Sequence, residues 1–181
     1  MVSSGKDGNK HVHPILLDTK LKVPITITAP HYMIHEGKSF IASYAWDNVA
    51  HLSTAKLRII VGANKALHAT ISVVAQGNAE FRIYEGTTYT DNGTAVTIYD
   101  KNRTTANTSD ALCYHTPTVN TSGPVIYHSF VPGGTKQRAV GSVRTNGEEW
   151  IFKKSTDYML MLANESGDNM DASIEIEFYE V

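Results

Sequence analysis

Only one of the 181 residues is a cysteine, Cys113. A lone thiol cannot close an intrachain disulfide or build a thiolate metal cluster, so the fold must hold without covalent staples. Excess charge of either sign is also missing: 16 Lys and Arg stand against 18 Asp and Glu, for a formal net charge of -2. No basic field draws in a phosphate backbone, and nucleic acid is not an expected partner. Charged residues make up 19% of the chain, below the roughly 25% of an average domain. Thr, Ser, Asn and Gly fill the difference and suggest a hydroxyl-rich β surface. No apolar run nears the roughly 18 residues that a membrane-spanning helix needs, so insertion into a membrane is not expected. The opening residues, Met1 to Lys10, lack a basic region followed by an apolar one, which predicts no secretory signal and synthesis in a cytosol.

Helical periodicity is nearly absent as well. Apolar residues recur instead with period two, the pattern of strands with one buried and one wet face. Ile174, Ile176 and Phe178 alternate with Glu175, Glu177 and Tyr179. Tyr158, Leu160 and Leu162 alternate with Met159 and Met161, a segment apolar on both sides and so expected at the centre of a sheet. Further strands are read through Val23, Ile25 and Ile27; Phe40, Ala42, Tyr44 and Trp46; Leu57, Ile59 and Val61; Leu67 to Val73; Phe81 and Ile83; and Val96 and Ile98. Turn chemistry at Gly62-Ala63-Asn64, Gln76-Gly77-Asn78 and Asp91-Asn92-Gly93 predicts tight hairpins and antiparallel pairing. One short helix is expected near Trp46 to Leu52. The fold class that follows is all-β: an antiparallel two-sheet β-sandwich, jelly-roll-like, with roughly eight to ten strands. Residues 1–13, polar and small, read as a flexible N-terminal arm, and residues 14–181 as one sandwich domain. Two segments break the strand pattern, Asn102 to Pro124 and Val131 to Gly147, and are expected as long loops of the kind that carry contacts.

Chemistry is sparse. His11-Val-His13 and His31-x-x-x-His35-Glu36 have spacings at which imidazoles share an ion, but Pro30 and Gly37 argue against a helix through His31 to Glu36, and the zinc-protease order is His-Glu-x-x-His. No metal site is expected. Asp110, Cys113 and His115 imitate a catalytic triad on paper, yet triad members normally converge from separate parts of a fold. A structural cysteine is the better reading. Walker, dinucleotide-binding and EF-hand patterns are missing, so no cofactor is expected. Sequons begin at Asn92, Asn102, Asn107, Asn120 and Asn164, and an Asn/Thr/Ser-rich composition accounts for them by chance. No catalytic residue is assigned. The candidate contact residues are His11 and His13 in the arm, Tyr89 and Tyr114, which are expected in loops, and Asn102, Arg103 and His115 in the first polar segment. Tyrosines there could anchor an interface or stack on sugar rings.

The segments Ile34-His35-Glu36-Gly37-Lys38-Ser39-Phe40, Trp150-Ile151-Phe152, Thr156-x-Tyr158 and Leu160-x-Leu162-x-Asn164 resemble small head proteins of tailed bacteriophages, in the capsid-decoration family. The resemblance covers most of residues 31–166. It implies a cement protein, not an enzyme, made in the host cytoplasm and carried on the capsid exterior. Its partners would be the major capsid protein and copies of itself, commonly as a homotrimer. The alternative is a carbohydrate-binding sandwich from a receptor-binding or fibre-tip protein; a third reading, a hydrolase using Glu85, Asp91 or Asp110 in a pair, has the least support.

Overall fold

The computed structural model describes residues 4–6, 12–14, 28–105, 107–133, 141–144 and 149–181. The chain divides into two units, Met1–Tyr32 and Met33–Val181. In the first, β1 (Ser4–Lys6) and β2 (Val12–Pro14) pair antiparallel with Gly5 opposite His13. The rest of the expected arm, and the strand expected through Val23, Ile25 and Ile27, lie outside the described residues.

Helix α1 (Ala29–His35) overturns one expectation, because Pro30 and Gly37 do not block it. Pro30 lies in the first turn, where its missing N–H has no helical partner to lose. Gly37 adopts φ +63° after the last turn. There the Lys38 N–H donates to the Met33 carbonyl and the Gly37 N–H to the Ile34 carbonyl, each at 3.0 Å. The residues read as breakers are the helix's start and cap. The helix expected near Trp46 is not found. Strand β3 (Ser39–Val49) runs through Trp46, because Tyr44 and Trp46 prolong the period-two pattern of Phe40 and Ala42.

The remaining strands follow in chain order. They are β4 (Thr54–Ile60), β5 (Leu67–Ala75), β6 (Ala79–Glu85), β7 (Thr88–Asp91), β8 (Thr94–Val96) and β9 (Tyr99–Asp100). Then come β10 (Leu112–His115), β11 (Thr118–Thr121), β12 (Val125–Val131), β13 (Gly141–Arg144), β14 (Trp150–Phe152), β15 (Asp157–Asn164) and β16 (Met170–Glu180). One sheet has the order β12-β6-β15-β4-β10-β8, the other β13-β5-β16-β3-β9 with β14 also on β5, and β7 pairs separately with β11. All pairs are antiparallel. The protein is an all-β, two-sheet sandwich.

The pairing is nested. Strand β3 pairs with β16, β4 with β15, β5 with β14 and β13, β6 with β12, β7 with β11, and β8 with β10. This is a double ribbon rolled up on itself, the jelly-roll-like order. Its consequence corrects the expected hairpins: β4, β5 and β6 alternate between the two sheets, and β7 and β8 each pair elsewhere. None of the three turns joins strands that pair with each other. The polar stretch Asn102 to Pro124 is not one loop either, since it contains β10 and β11. Much of Val131 to Gly147 lies outside the described residues.

Between the sheets the inward positions close the core. Leu57 and Ile59, Ile71 and Val73, Phe81 and Ile83, Leu160 and Leu162, and Ile174 and Ile176 are each no more than 1% exposed. Burial of each such side chain stabilises by about 1.5–3 kcal/mol. As expected, β15 is covered on both sides: Met159 and Met161, facing away from the core, are also buried.

Candidate interaction surface

Arg58 organises the outer face of the first sheet. Register sets it between Tyr114 on β10 and Met159 on β15. Its side chain is 10% exposed. Nη2 donates to Asp157 Oδ2 at 2.6 Å, and Nη1 to Asn92 Oδ1 at 2.5 Å. The guanidinium lies 4.1 Å from the Tyr89 ring centroid and 5.9 Å from that of Tyr114. A desolvated guanidinium over aromatic faces and against a carboxylate is a firm clamp. It holds the Tyr89–Asn92 segment onto the sheet. Burial pushes the Tyr89 phenol well above its ordinary pKa, against the pull of the Arg58 charge.

Two of the expected contact residues therefore meet at Arg58, and both lie in strands rather than loops. His115 does not join them. It follows Tyr114 on β10, so its side chain takes the opposite face and stacks on Tyr44 with ring centroids 3.6 Å apart. Trp46 packs edge-on to Tyr44, and its Nε1 donates to Thr116 Oγ1 at 3.4 Å. Burial holds the His115 pKa below its usual value, which favours the neutral imidazole.

Asn102 and Arg103 belong to a third place, the turn after β9. Asp100 is 2% exposed. Its carboxylate accepts from the Asn102 N–H at 2.8 Å, the Thr105 hydroxyl at 2.6 Å and the Asn107 N–H at 3.0 Å. Burial opposes the charge, but these donors prevail and hold the Asp100 pKa below the usual carboxylate range. Asn102 donates to the His35 carbonyl at 3.4 Å, and Arg103 lies 5.2 Å from the Tyr99 ring centroid. His13 is a backbone position on β2, and His11 lies outside the described residues.

The groups that imitated chemistry have structural surroundings. Cys113 is 3% exposed, and burial pushes its thiol up to about 12, so thiolate is scarce at neutral pH. Glu85 accepts from Lys153 Nζ at 2.6 Å and the Tyr158 hydroxyl at 2.8 Å, and these donors hold its pKa low. Asp91 accepts from the Gly93 N–H at 2.7 Å, and Asp110 from Asn64 at 3.1 Å. Asp91 is tied to its own turn, and Glu85 and Asp110 to donors from distant segments. No group of three or more His, Cys, Asp or Glu among the described residues could hold a metal ion. No helix among them is long and apolar enough to cross a membrane.

Strand β12 is the feature sequence reasoning missed. It forms one edge of the first sheet, and no strand among the described residues pairs with its outer side. Along it Val125, Ile126 and Phe130 are 49%, 36% and 68% exposed. Tyr127 turns inward against Phe81 and Trp150. The legible signal was Val125-Ile126-Tyr127, three strand formers in a row, set between Pro124 and Pro132. No protein-family model matches this chain, and no curated protein sequence is significantly similar to it.

Proposed function

We propose that the protein is a virion structural protein that binds the outer surface of a phage capsid, stabilises the head and associates with copies of itself. Support comes from the resemblance of residues 31–166 and from the fate of the aromatic side chains. A sugar-binding module presents exposed, coplanar rings in a groove. Here Tyr89 and Tyr114 are half-buried around Arg58, and Tyr44 is stacked under His115. This is the observation that carries the choice of assembly over glycan recognition. Apolar side chains that stay exposed are spread over separate strands: Leu112 on β10, Tyr99 on β9, Phe130 on β12 and Ile151 on β14. Dispersed modest contacts suit multivalent attachment, where effective concentration replaces a single tight interface.

Co-sedimentation of the purified chain with undecorated phage heads tests the reading. Saturable binding at a fixed number of copies per head is the expected result. A chain that stays in the supernatant and instead binds a glycan array would overturn it in favour of the carbohydrate-binding module.

A further inference from the structure

Strand β12 has the features of a surface for a second copy of itself. It is an edge strand carrying exposed apolar side chains, an arrangement that templates pairing with another strand. Proline bounds it on both sides, Pro124 and Pro132, and proline supplies no N–H to a ladder. An antiparallel partner that uses the whole strand is thus confined to seven residues, and the same strand on a second molecule meets that limit with His128 at the centre. In this register Ile126 faces Phe130 of the partner subunit and Tyr127 faces Ser129 of the partner subunit, while the bulge puts Val125 out of step with the ladder. The two most outward apolar groups on the central run, Ile126 at 36% and Phe130 at 68% exposure, then cover each other twice. The register shift between Val125 and Tyr127 marks a bulge that leaves Ile126 turned out.

Charge does not oppose the seam. His128 Nε2 lies 3.6 Å from Glu80 Oε2, and Glu80 is also paired with Arg82. Each copy brings its own counter-charge beside the imidazole. We infer that two copies of the chain pair through β12 about a twofold axis at His128, joining their first sheets into one continuous sheet. The resemblance implied a trimer, so the inference departs from it in symmetry; it concerns the self-association part of the proposed function and is independent of capsid binding.

Cysteine cross-linking of the full chain reads the axis directly. Residues directly opposite in an antiparallel pair have Cα atoms about 4.5–5.5 Å apart, inside the range a disulfide spans. His128→Cys should therefore give a covalent dimer on mild oxidation, while Phe130→Cys alone should not, because position 130 faces position 126. Mixing Phe130→Cys with Ile126→Cys should restore the link. Buried Cys113 does not compete. Light scattering should report a dimer for the natural chain and at least about tenfold weaker association for Phe130→Lys, since Phe burial is lost. Circular dichroism checks that the variants keep their strands. A monomer or trimer by scattering, or cross-linking of Phe130→Cys alone as fast as of His128→Cys, would overturn the seam. Neither result bears on head binding, which the co-sedimentation reads separately.

Discussion

At the scale of single residues, the buried side chains of Arg58 and Asp100 tie down the chain segments around them. Arg58 shows the energetics. Replacing it with Met removes both donors and leaves Asp157, whose side chain is 24% exposed, without its closest cation. A loss of about 2–4 kcal/mol is expected in urea unfolding, below the full effect for a buried pair because Asp157 keeps some water. Asp100→Ala should cost about 2–3 kcal/mol for three stranded donors. Its pH dependence has a fixed sign. The folded pKa is depressed, so the stabilisation is present above the ordinary aspartate value of about 3.9 and is lost as pH falls through the folded value. In Asp100→Asn the loss of stability between about pH 3.9 and the folded value should accordingly shrink in an acid titration. His115 acts higher on the scale: its folded pKa is lowered, so stability falls as pH drops from about 6.5 toward the folded value. Between pH 5 and 8 the unfolding midpoint of the natural chain should therefore fall relative to that of His115→Phe as pH drops below about 6.5, whereas a pH-independent difference would show the linkage to be absent.

At the scale of elements, Gly93 tests how tightly the turns are built. It has φ +82°, and a Cβ there would press on the His115 carbonyl oxygen. Gly93→Ala should destabilise by about 1–3 kcal/mol, read by thermal unfolding. This same turn shows where sequence reading stops. Asn92-Gly93 announces a turn correctly, yet the flanking strands pair with β11 and β10 instead of each other. Period-two alternation records which side chains go inward, and Ile174, Ile176, Phe178, Leu160 and Leu162 were legible for that reason. It carries nothing about which strand lies alongside. Helix α1 was missed because the residues that terminate a helix are also the ones that prevent it; only their positions at the two ends distinguish the cases. The contact residues were half-legible. Tyr89 and Tyr114 stood out as aromatics in polar segments, but Arg58, which joins them, looked like an ordinary strand position, and the split between Tyr114 and His115 needs the strand's alternation. The segments that carry the phage resemblance serve the fold itself: Gly37 caps α1, Phe152 stacks on Tyr158 at 4.0 Å, and Asn164 Nδ2 donates to the Val49 and Asp168 carbonyls.

At the scale of the whole molecule, the second unit has one core contributed by both sheets. Its two tryptophans, Trp46 and Trp150, pack against that core on β3 and β14. Single-tryptophan variants Trp46→Phe and Trp150→Phe should report coincident denaturant transitions by fluorescence, as one cooperative unit requires; separated midpoints would reveal independent halves. The nested order has a further effect during synthesis. The second sheet places β16, residues 170–180, between β3 and β5, so Phe40 meets Phe178 across the ladder. The earliest strands of the unit cannot acquire their neighbour until the latest have left the ribosome. Folding of this unit is thereby deferred until β16 has emerged, and nascent chains halted before β16 should remain open to proteases and dependent on chaperones.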